Sequence, residues 1–173
     1  MKTSTVILSC CMVLAPPALA LATTLPDSCG KPEAALDVKT QKNPAAPVNS
    51  QPGKSTLVFV QRNSACLGCS VVRVGLDGAW AGANKGNSYF SVAVEPGDHH
   101  VCAWWDAPLA RMESRIGLTD LESAPNRTYY FEVVVAKYGD SGAPFMKLKA
   151  LSPDMGAFLA SRSSLSIATP KTK

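Results

Sequence analysis

The stretch VVRVGLDGAWAGANKGNSYFSVAVEPGDHHVCAWW, residues 71–105, decides the fold class of this chain. In its first part, VVRVGL (71–76), Val72, Val74 and Leu76 fall on one face of a strand, and Val71 and Arg73 fall on the other. Asp77-Gly78 is a dipeptide typical of tight hairpin turns. NKGN (84–87) and EPGD (95–98) are further turn sequences that follow at short intervals. The stretch therefore predicts four strands that are joined by short turns.

Similar strand patterns occur on both sides of this stretch. TLVFVQ (56–61) is apolar on both faces, which is typical of a central strand. YYFEVVVA (129–136) is rich in the aromatic and β-branched residues that strands favour. RIGLTDLE (115–122) and FMKLKAL (145–151) add two more strands, and ALDVKT (35–40) is strand-like. Short strands with turns every eight to twelve residues predict a mainly β, antiparallel sandwich of the immunoglobulin or prealbumin type.

One short C-terminal helix is predicted to complete the domain. Ser152 suits an N-cap, Pro153 suits the first helical position, and Met155 and Phe158 share a helical face. We expect this helix at 153–162 to pack on the sheet. The sandwich domain is predicted to span residues 54–162, and residues 163–173 are predicted to be a flexible tail.

The N-terminus has the pattern of a secretory signal peptide. Lys2 precedes an apolar run at 6–14, and small residues at 18–22 suit a cleavage site. The run is too short to span a bilayer, and no other segment is long and apolar enough to do so. Residues 1–22 therefore predict an exported protein, periplasmic or secreted, in which 23–53 form a proline-rich N-terminal segment.

Cysteine usage predicts two disulfides. Cleavage after residue 22 removes two of the six cysteines and leaves Cys29, Cys66, Cys69 and Cys102. An even number in an exported domain is typical of disulfide pairing. Of the three possible pairings we favour Cys66–Cys69 with Cys29–Cys102. Cys102 points away from its neighbours in the strand, so the segment that carries Cys29 is able to lie across its face.

The spacing of Cys66 and Cys69 leaves two other functions open. A thiol-redox site requires a thiolate of lowered pKa at a helix N-terminus, but strands flank this pair. A zinc site requires four ligands, which usually come in two close pairs, but Cys29 and Cys102 are isolated in the sequence. Thiol-redox and zinc-site functions are therefore alternatives to the structural disulfide. No catalytic group, cofactor or metal is predicted.

Binding candidates cluster in one strand. Trp104, His100 and Cys102 share a face of HHVCAWW (99–105), and Asp106 follows this strand. An exposed Trp104 would be able to stack on a sugar, which makes a carbohydrate-binding module a further alternative. The opposite expectation is that the Cys29 segment covers Trp104.

Charge excludes one class of partner. The net charge is +4, and the basic residues are scattered without a run of five. Such a surface is not typical of nucleic-acid binding. The expected partner is an unknown protein or glycan of the cell envelope.

Four pieces of the sequence carry a family resemblance. They are TLVFVQR (56–62), LDG (76–78), GNSYFSVAVEPGDHH (86–100) and RTYYFEVVV (127–135). In these pieces the chain resembles the exported bacterial family catalogued as domain of unknown function 2846, and more loosely other small surface β-domains. The resemblance implies an exported β-sandwich without assigned catalysis, and it supplies no catalytic residue. The expected function is a non-catalytic binding or structural module of the cell envelope.

Overall fold

The computed structural model describes residues 25–32, 34–42, 51–62, 71–106, 111, 113–137 and 144–171. These residues form two β-sheets, one α-helix and a short 3-10 turn at Glu113–Arg115. The predicted signal peptide and residues 63–70, which include Cys66 and Cys69, lie outside the described residues. The prediction of a mainly β fold is confirmed.

The larger sheet has six strands. In spatial order they are β1 (Leu36–Gln41), β10 (Ser164–Pro170), β5 (Ser88–Val94), β2 (Ser55–Gln61), β8 (Thr128–Lys137) and β9 (Pro144–Leu151). The smaller sheet has four strands. In spatial order they are β4 (Ala79–Lys85), β3 (Val71–Leu76), β6 (Gly97–Trp105) and β7 (Ile116–Ser123). The β3–β4 hairpin turns at Asp77 and Gly78, and both have the positive φ that such tight turns require.

Strand direction departs from the prediction at two places. Six of the eight pairings between described strands are antiparallel, but β2 pairs with β8 and β5 pairs with β10 in parallel. All four strands of the smaller sheet, together with β5 of the larger sheet, lie between β2 and β8 in the sequence. Because no hairpin then links β2 to β8, β8 is free to run parallel to it. The sheets are therefore mostly antiparallel, and the two parallel pairings are the part of the topology that the turn sequences do not predict.

The two sheets share one apolar core. Phe59 of β2 lies between Phe90 and Phe131, with ring centroids 5.2 and 5.5 Å away. From the smaller sheet, Val74 and Trp105 are buried in the same cluster. All seven residues of β2 are buried, which confirms its prediction as a central strand.

Helix α1 (Pro153–Ser161) packs on the outer face of the larger sheet. The Ser152 hydroxyl accepts a hydrogen bond from the Met155 backbone N–H, as predicted for an N-cap. Gly156 lies so close to Tyr130 that a Cβ there would be 2.1 Å from the ring carbon Cγ. This glycine therefore sets how closely the helix approaches the sheet. Within the described ranges, no helix has the length and apolar character needed to cross a membrane.

The prediction of a flexible C-terminal tail is wrong for residues 164–170. They form β10, and residues Leu165 to Pro170 of this strand pair with β1. The Ser166 hydroxyl also donates to the Ala83 carbonyl oxygen of the smaller sheet. The short polar sequence of β10 has no strong strand signal of its own, and its partner lies near the opposite end of the chain. The folded domain therefore extends beyond the predicted limits of 54 and 162.

Candidate functional site

The outer face of the smaller sheet is crossed by an N-terminal segment, which we call the strap (described residues 26–32 and 34). A disulfide joins Cys29 of the strap to Cys102 of β6, with a Cα–Cα distance of 5.2 Å, and both cysteines are buried. The predicted Cys29–Cys102 pairing is therefore confirmed. The strap lies directly on β3 at Gly75, where a Cβ would be 2.9 Å from the Ser28 carbonyl oxygen. A side chain at this position would push the strap away.

Arg73 of β3 holds the next part of the strap. Its Nη1 donates to the carbonyl oxygens of Ala34 at 2.6 Å and of Pro32 at 3.3 Å. Its guanidinium also lies over the ring of Trp80, 4.7 Å from the centroid. The Trp80 indole in turn donates to the Lys31 carbonyl oxygen at 2.8 Å. Successive strap carbonyls are thus bound by side chains of the sheet.

Trp104 lies beneath this arrangement and is only 5% exposed. The Arg115 guanidinium is 4.3 Å from its ring centroid, and that of Arg73 is 6.0 Å away. Long arginine side chains cover an aromatic face with their stems and also attract its π-electrons. Of the two expectations for Trp104, the structure therefore bears out a covered side chain, with the cover supplied by two arginines. Its neighbour Trp105 is buried in the core, as its phase in the strand predicts.

The remaining binding candidates are far apart. Asp106 lies at the end of β6 and is partly exposed, with Oδ1 3.7 Å from Nη2 of Arg115. His100 lies six residues earlier in the strand, about 20 Å away at a rise of about 3.3 Å per residue. The structure therefore does not join His100, Trp104 and Asp106 into one site.

His100 lines an open groove of about 650 Å³ beside the strap. Its Nδ1 lies 2.7 Å from Oδ1 of Asp120, its direct neighbour on β7. This hydrogen bond and the negative charge of Asp120 raise the pKa of His100 above its ordinary value. Leu118 gives the groove an apolar wall and is 55% exposed. The lining residues are Asp27, Ser28, Asp77, His100, Val101, Leu118, Thr119 and Asp120.

A second histidine stabilises the turn at one end of this groove. His99 Nδ1 lies 2.7 Å from Oδ2 of Asp77, and His99 Nε2 lies 2.7 Å from the Glu95 carbonyl oxygen. Because a carboxylate and a carbonyl only accept hydrogen bonds, both ring nitrogens have to donate, and the ring is an imidazolium. The other Asp77 oxygen accepts the His100 backbone N–H at 2.8 Å. His99 thus joins the β3–β4 turn to the β5–β6 turn.

The pKa values of this pair move in opposite directions. Burial lowers the pKa of His99, but its hydrogen bonds to Asp77 and Glu95 and the charges of Asp77 and Asp98 raise it above the ordinary value. Burial raises the pKa of Asp77, but hydrogen bonds from His99 and from the His100 backbone, with the charges of both histidines, lower it below the ordinary value. Folding therefore stabilises the charged forms of both groups.

We expect the contribution of this pair to stability to depend on pH. The raised pKa of His99 stabilises the fold fully below its unfolded pKa of about 6.5, and this stabilisation is lost as pH rises through the folded pKa. The lowered pKa of Asp77 stabilises the fold above its unfolded pKa of about 3.9, and this is lost as pH falls through the folded value. Urea midpoints should therefore differ more between the wild type and His99→Gln near pH 5.5 than near pH 8.5.

His100→Gln is the matched control for that experiment, because His100 is the only other histidine of the chain. It removes an exposed imidazole and leaves both contacts of His99 intact. The free energy of unfolding of His100→Gln should therefore still decrease as His99 loses its proton at high pH. An unchanged pH dependence in His99→Gln would contradict the imidazolium assignment.

Sequence reasoning missed most of the groove. Asp120 and Leu118 stand at alternate positions of a predicted strand, but only the register of β7 against β6 places Asp120 opposite His100. Asp77 was assigned only to a turn. Among the described residues, no group of three or more histidine, cysteine or acidic side chains is arranged to hold a metal ion.

No protein-family model matches this chain, and no curated protein does.

Proposed function

We propose that this chain is an exported, non-catalytic binding or structural module of the cell envelope, and that the His100 groove is its binding site. The groove carries the proposal, because it combines an exposed apolar wall at Leu118 with polar side chains that are free to face solvent. Three carboxylates line it, so it favours a ligand with a positive charge beside an apolar group. The buried Cys29–Cys102 disulfide supports export, since such bonds persist in oxidising compartments.

The finer fold type that we propose is the prealbumin-like sandwich. In an immunoglobulin constant-type sandwich the second and third strands belong to opposite sheets. Here β3 and β4, the second and third strands of the predicted domain, form a hairpin within one sheet. We further propose membership of the domain of unknown function 2846 family, which the LDG and EPGD turn sequences support.

The alternatives differ in how well the described residues support them. A carbohydrate site on Trp104 requires an exposed indole ring, but two arginines cover this tryptophan. A zinc site that uses all four cysteines has lost two of them to the Cys29–Cys102 disulfide. A thiol-redox function of Cys66 and Cys69 is the rival that an experiment has to decide.

Counting free thiols tests this rival. The exported protein, unfolded without reductant, should react with no thiol reagent, because the proposal has all four cysteines in disulfides. The native protein should also fail to catalyse the reduction of insulin. Two reactive thiols of low pKa, together with insulin reduction that is lost in Cys66→Ser, would support the redox protein instead.

Histidine NMR tests the groove directly. The two imidazoles report separately, since His100 lines the groove and His99 is buried below it. A short lysine-rich peptide with a terminal phenylalanine should shift the His100 signals and leave those of His99 nearly unchanged. A glutamate-rich peptide is the control. Asp120→Asn and Leu118→Ser should each weaken the response, and equal responses to both peptides would contradict the proposal.

A further inference from the structure

We propose that the outer face of the larger sheet, with helix α1 at its centre, docks onto an anionic lipid surface. This face lies on the opposite side of the sandwich from the His100 groove. Its evidence is independent of the proposed ligand site, and consists of exposed apolar side chains, the surrounding cations and the separation of charge between the two faces.

Helix α1 presents two large apolar side chains to solvent. Met155 and Phe158 are 49% and 55% exposed, and they lie one turn apart. The opposite side of the helix packs on the sheet through Gly156 and Ala160, which are buried. Apolar side chains on the solvent side of a packed helix contribute nothing to the core. Their exposure is typical of a surface that contacts another apolar phase.

Ile167 of β10 extends this apolar surface. It is exposed and lies two residues from Leu165, which packs with the helix cluster, so both side chains point to the same face of the strand. Three of the four large apolar side chains that are exposed in the described ranges are therefore on this side. The fourth is Leu118, which lines the groove on the other side.

Cations surround these apolar side chains. On β9, Met146 and Leu148 point into the core, so the exposed Lys147 and Lys149 point to the helix side. On β1, Lys39 is directly opposite Ile167 and shares its face. At the end of α1, the Arg162 guanidinium lies 5.7 Å from the Phe158 ring centroid.

The acidic residues of this face do not cancel these charges. Glu132 is buried and pairs with Arg62, so that pair adds no net charge. Asp154 and Asp37 are the other carboxylates assigned to this side, and Asp154 lies in the first turn of α1, where it favours the helix. Positive charge therefore remains in excess around Met155 and Phe158.

The groove end of the opposite face carries an excess of acidic side chains. Asp77, Asp98, Asp120 and Glu122 lie at the groove end of the smaller sheet, and the strap adds Asp27. In a chain with a net charge of +4, this acidic end lies on the side of the sandwich opposite the helix, while Arg73 and Arg115 lie at the other end of the same outer face. An anionic surface would attract the helix face and repel the groove face, and the groove would then point away from the lipid.

A lipid surface fits this face better than a folded protein does. The helix forms a ridge on the sheet, and apolar tips on a ridge with flanking cations are typical of interfacial helices that insert among headgroups. With only one short helix inserted, attachment should be reversible and salt-sensitive. Phosphate headgroups attract the lysines, and ions screen that attraction.

Vesicle flotation tests the proposal. The exported protein should float with vesicles that contain phosphatidylglycerol at low salt, and should be released at high salt. Pure phosphatidylcholine vesicles should bind it at least about tenfold more weakly, because their zwitterionic headgroups have no net negative charge to attract the lysines. The double variant Met155→Ser/Phe158→Ser should lower the partition coefficient about tenfold or more. Lys147→Gln/Lys149→Gln should lower it by a similar factor at low salt only.

Leu118→Ser is the matched control, because Leu118 is as exposed as Phe158 but lies on the acidic face. It should leave vesicle binding unchanged. All variants keep the same N-terminus, so any binding by that segment cancels in the comparison, and circular dichroism verifies that each variant is folded. Equal losses in Leu118→Ser and Met155→Ser/Phe158→Ser, or no binding to anionic vesicles, would overturn the proposal. A dimer in ultracentrifugation that Met155→Ser/Phe158→Ser abolishes would overturn it in favour of self-association.

Discussion

Replacing Cys29 and Cys102 together by alanine should lower the free energy of unfolding by about 4 kcal/mol. The two cysteines are separated by 73 positions, so the disulfide closes a long loop and restricts the unfolded chain strongly. In the folded chain it also holds the strap on β3. The double alanine variant is preferable to a single one, because it leaves no free thiol to form a wrong disulfide.

Urea unfolding under non-reducing conditions measures this effect. Cys66→Ala/Cys69→Ala is the matched control. If those cysteines form the proposed disulfide, its loop is short, and its removal should cost only about 2 kcal/mol. Acrylamide should also quench tryptophan fluorescence more strongly in the Cys29→Ala/Cys102→Ala variant, since Trp80 loses its contacts with Gly30 and Lys31 of the strap. A loss below about 1 kcal/mol would show that the strap is held without its covalent bond.

Arg73→Leu should lower the free energy of unfolding by about 3 kcal/mol. The substitution removes two hydrogen bonds from a charged donor to the carbonyl oxygens of Pro32 and Ala34. It also removes the stacked cation from Trp80 and Trp104. Burial lowers the pKa of Arg73, with the charge of Asp106 opposing and that of Arg115 adding to the effect, so some of the desolvation cost is recovered when the charge is removed.

Arg73→Lys separates charge from shape in this experiment. Lysine keeps the positive charge but lacks the planar guanidinium that stacks on indoles, so we expect it to recover less than half of the loss. Combining Arg73→Leu with the double cysteine variant provides a second control. Because both changes release the strap, the combined variant should lose less free energy of unfolding than the sum of the two separate losses. Full additivity would contradict a common role in holding the strap.

The sequence was most informative where the signal is local. The position of β3 follows from the alternation in residues 71–76, and that of α1 from Ser152, Pro153 and the spacing of its apolar residues. The Cys29–Cys102 pairing was also accessible, because the strand phase of Cys102 determines the face on which its partner lies. In each case a periodicity or a turn residue within a few positions carried the information.

What sequence reasoning missed depends on contacts between distant segments. Trp104 has the same strand phase whether or not Arg73 and Arg115 cover it. Arg73 comes from the neighbouring strand β3, and Arg115 comes from the 3-10 turn that precedes β7. Residues 164–170 become a strand because β1 offers them a partner, not because their own composition requires it. The His100–Asp120 pair likewise depends on register, which a single strand pattern does not determine.

The pairing of β1 with β10 has a consequence for the order of events during synthesis. Leu36 is among the first described residues to be made, yet its partner, Pro170, is among the last. The strap likewise waits for Cys102 before its covalent bond is possible. Contacts between such distant segments carry a large loop-closure cost and form slowly. The N-terminal segment therefore gains its strand partner only after β10 has been made, and until then it is the segment on which a chaperone has the longest time to act.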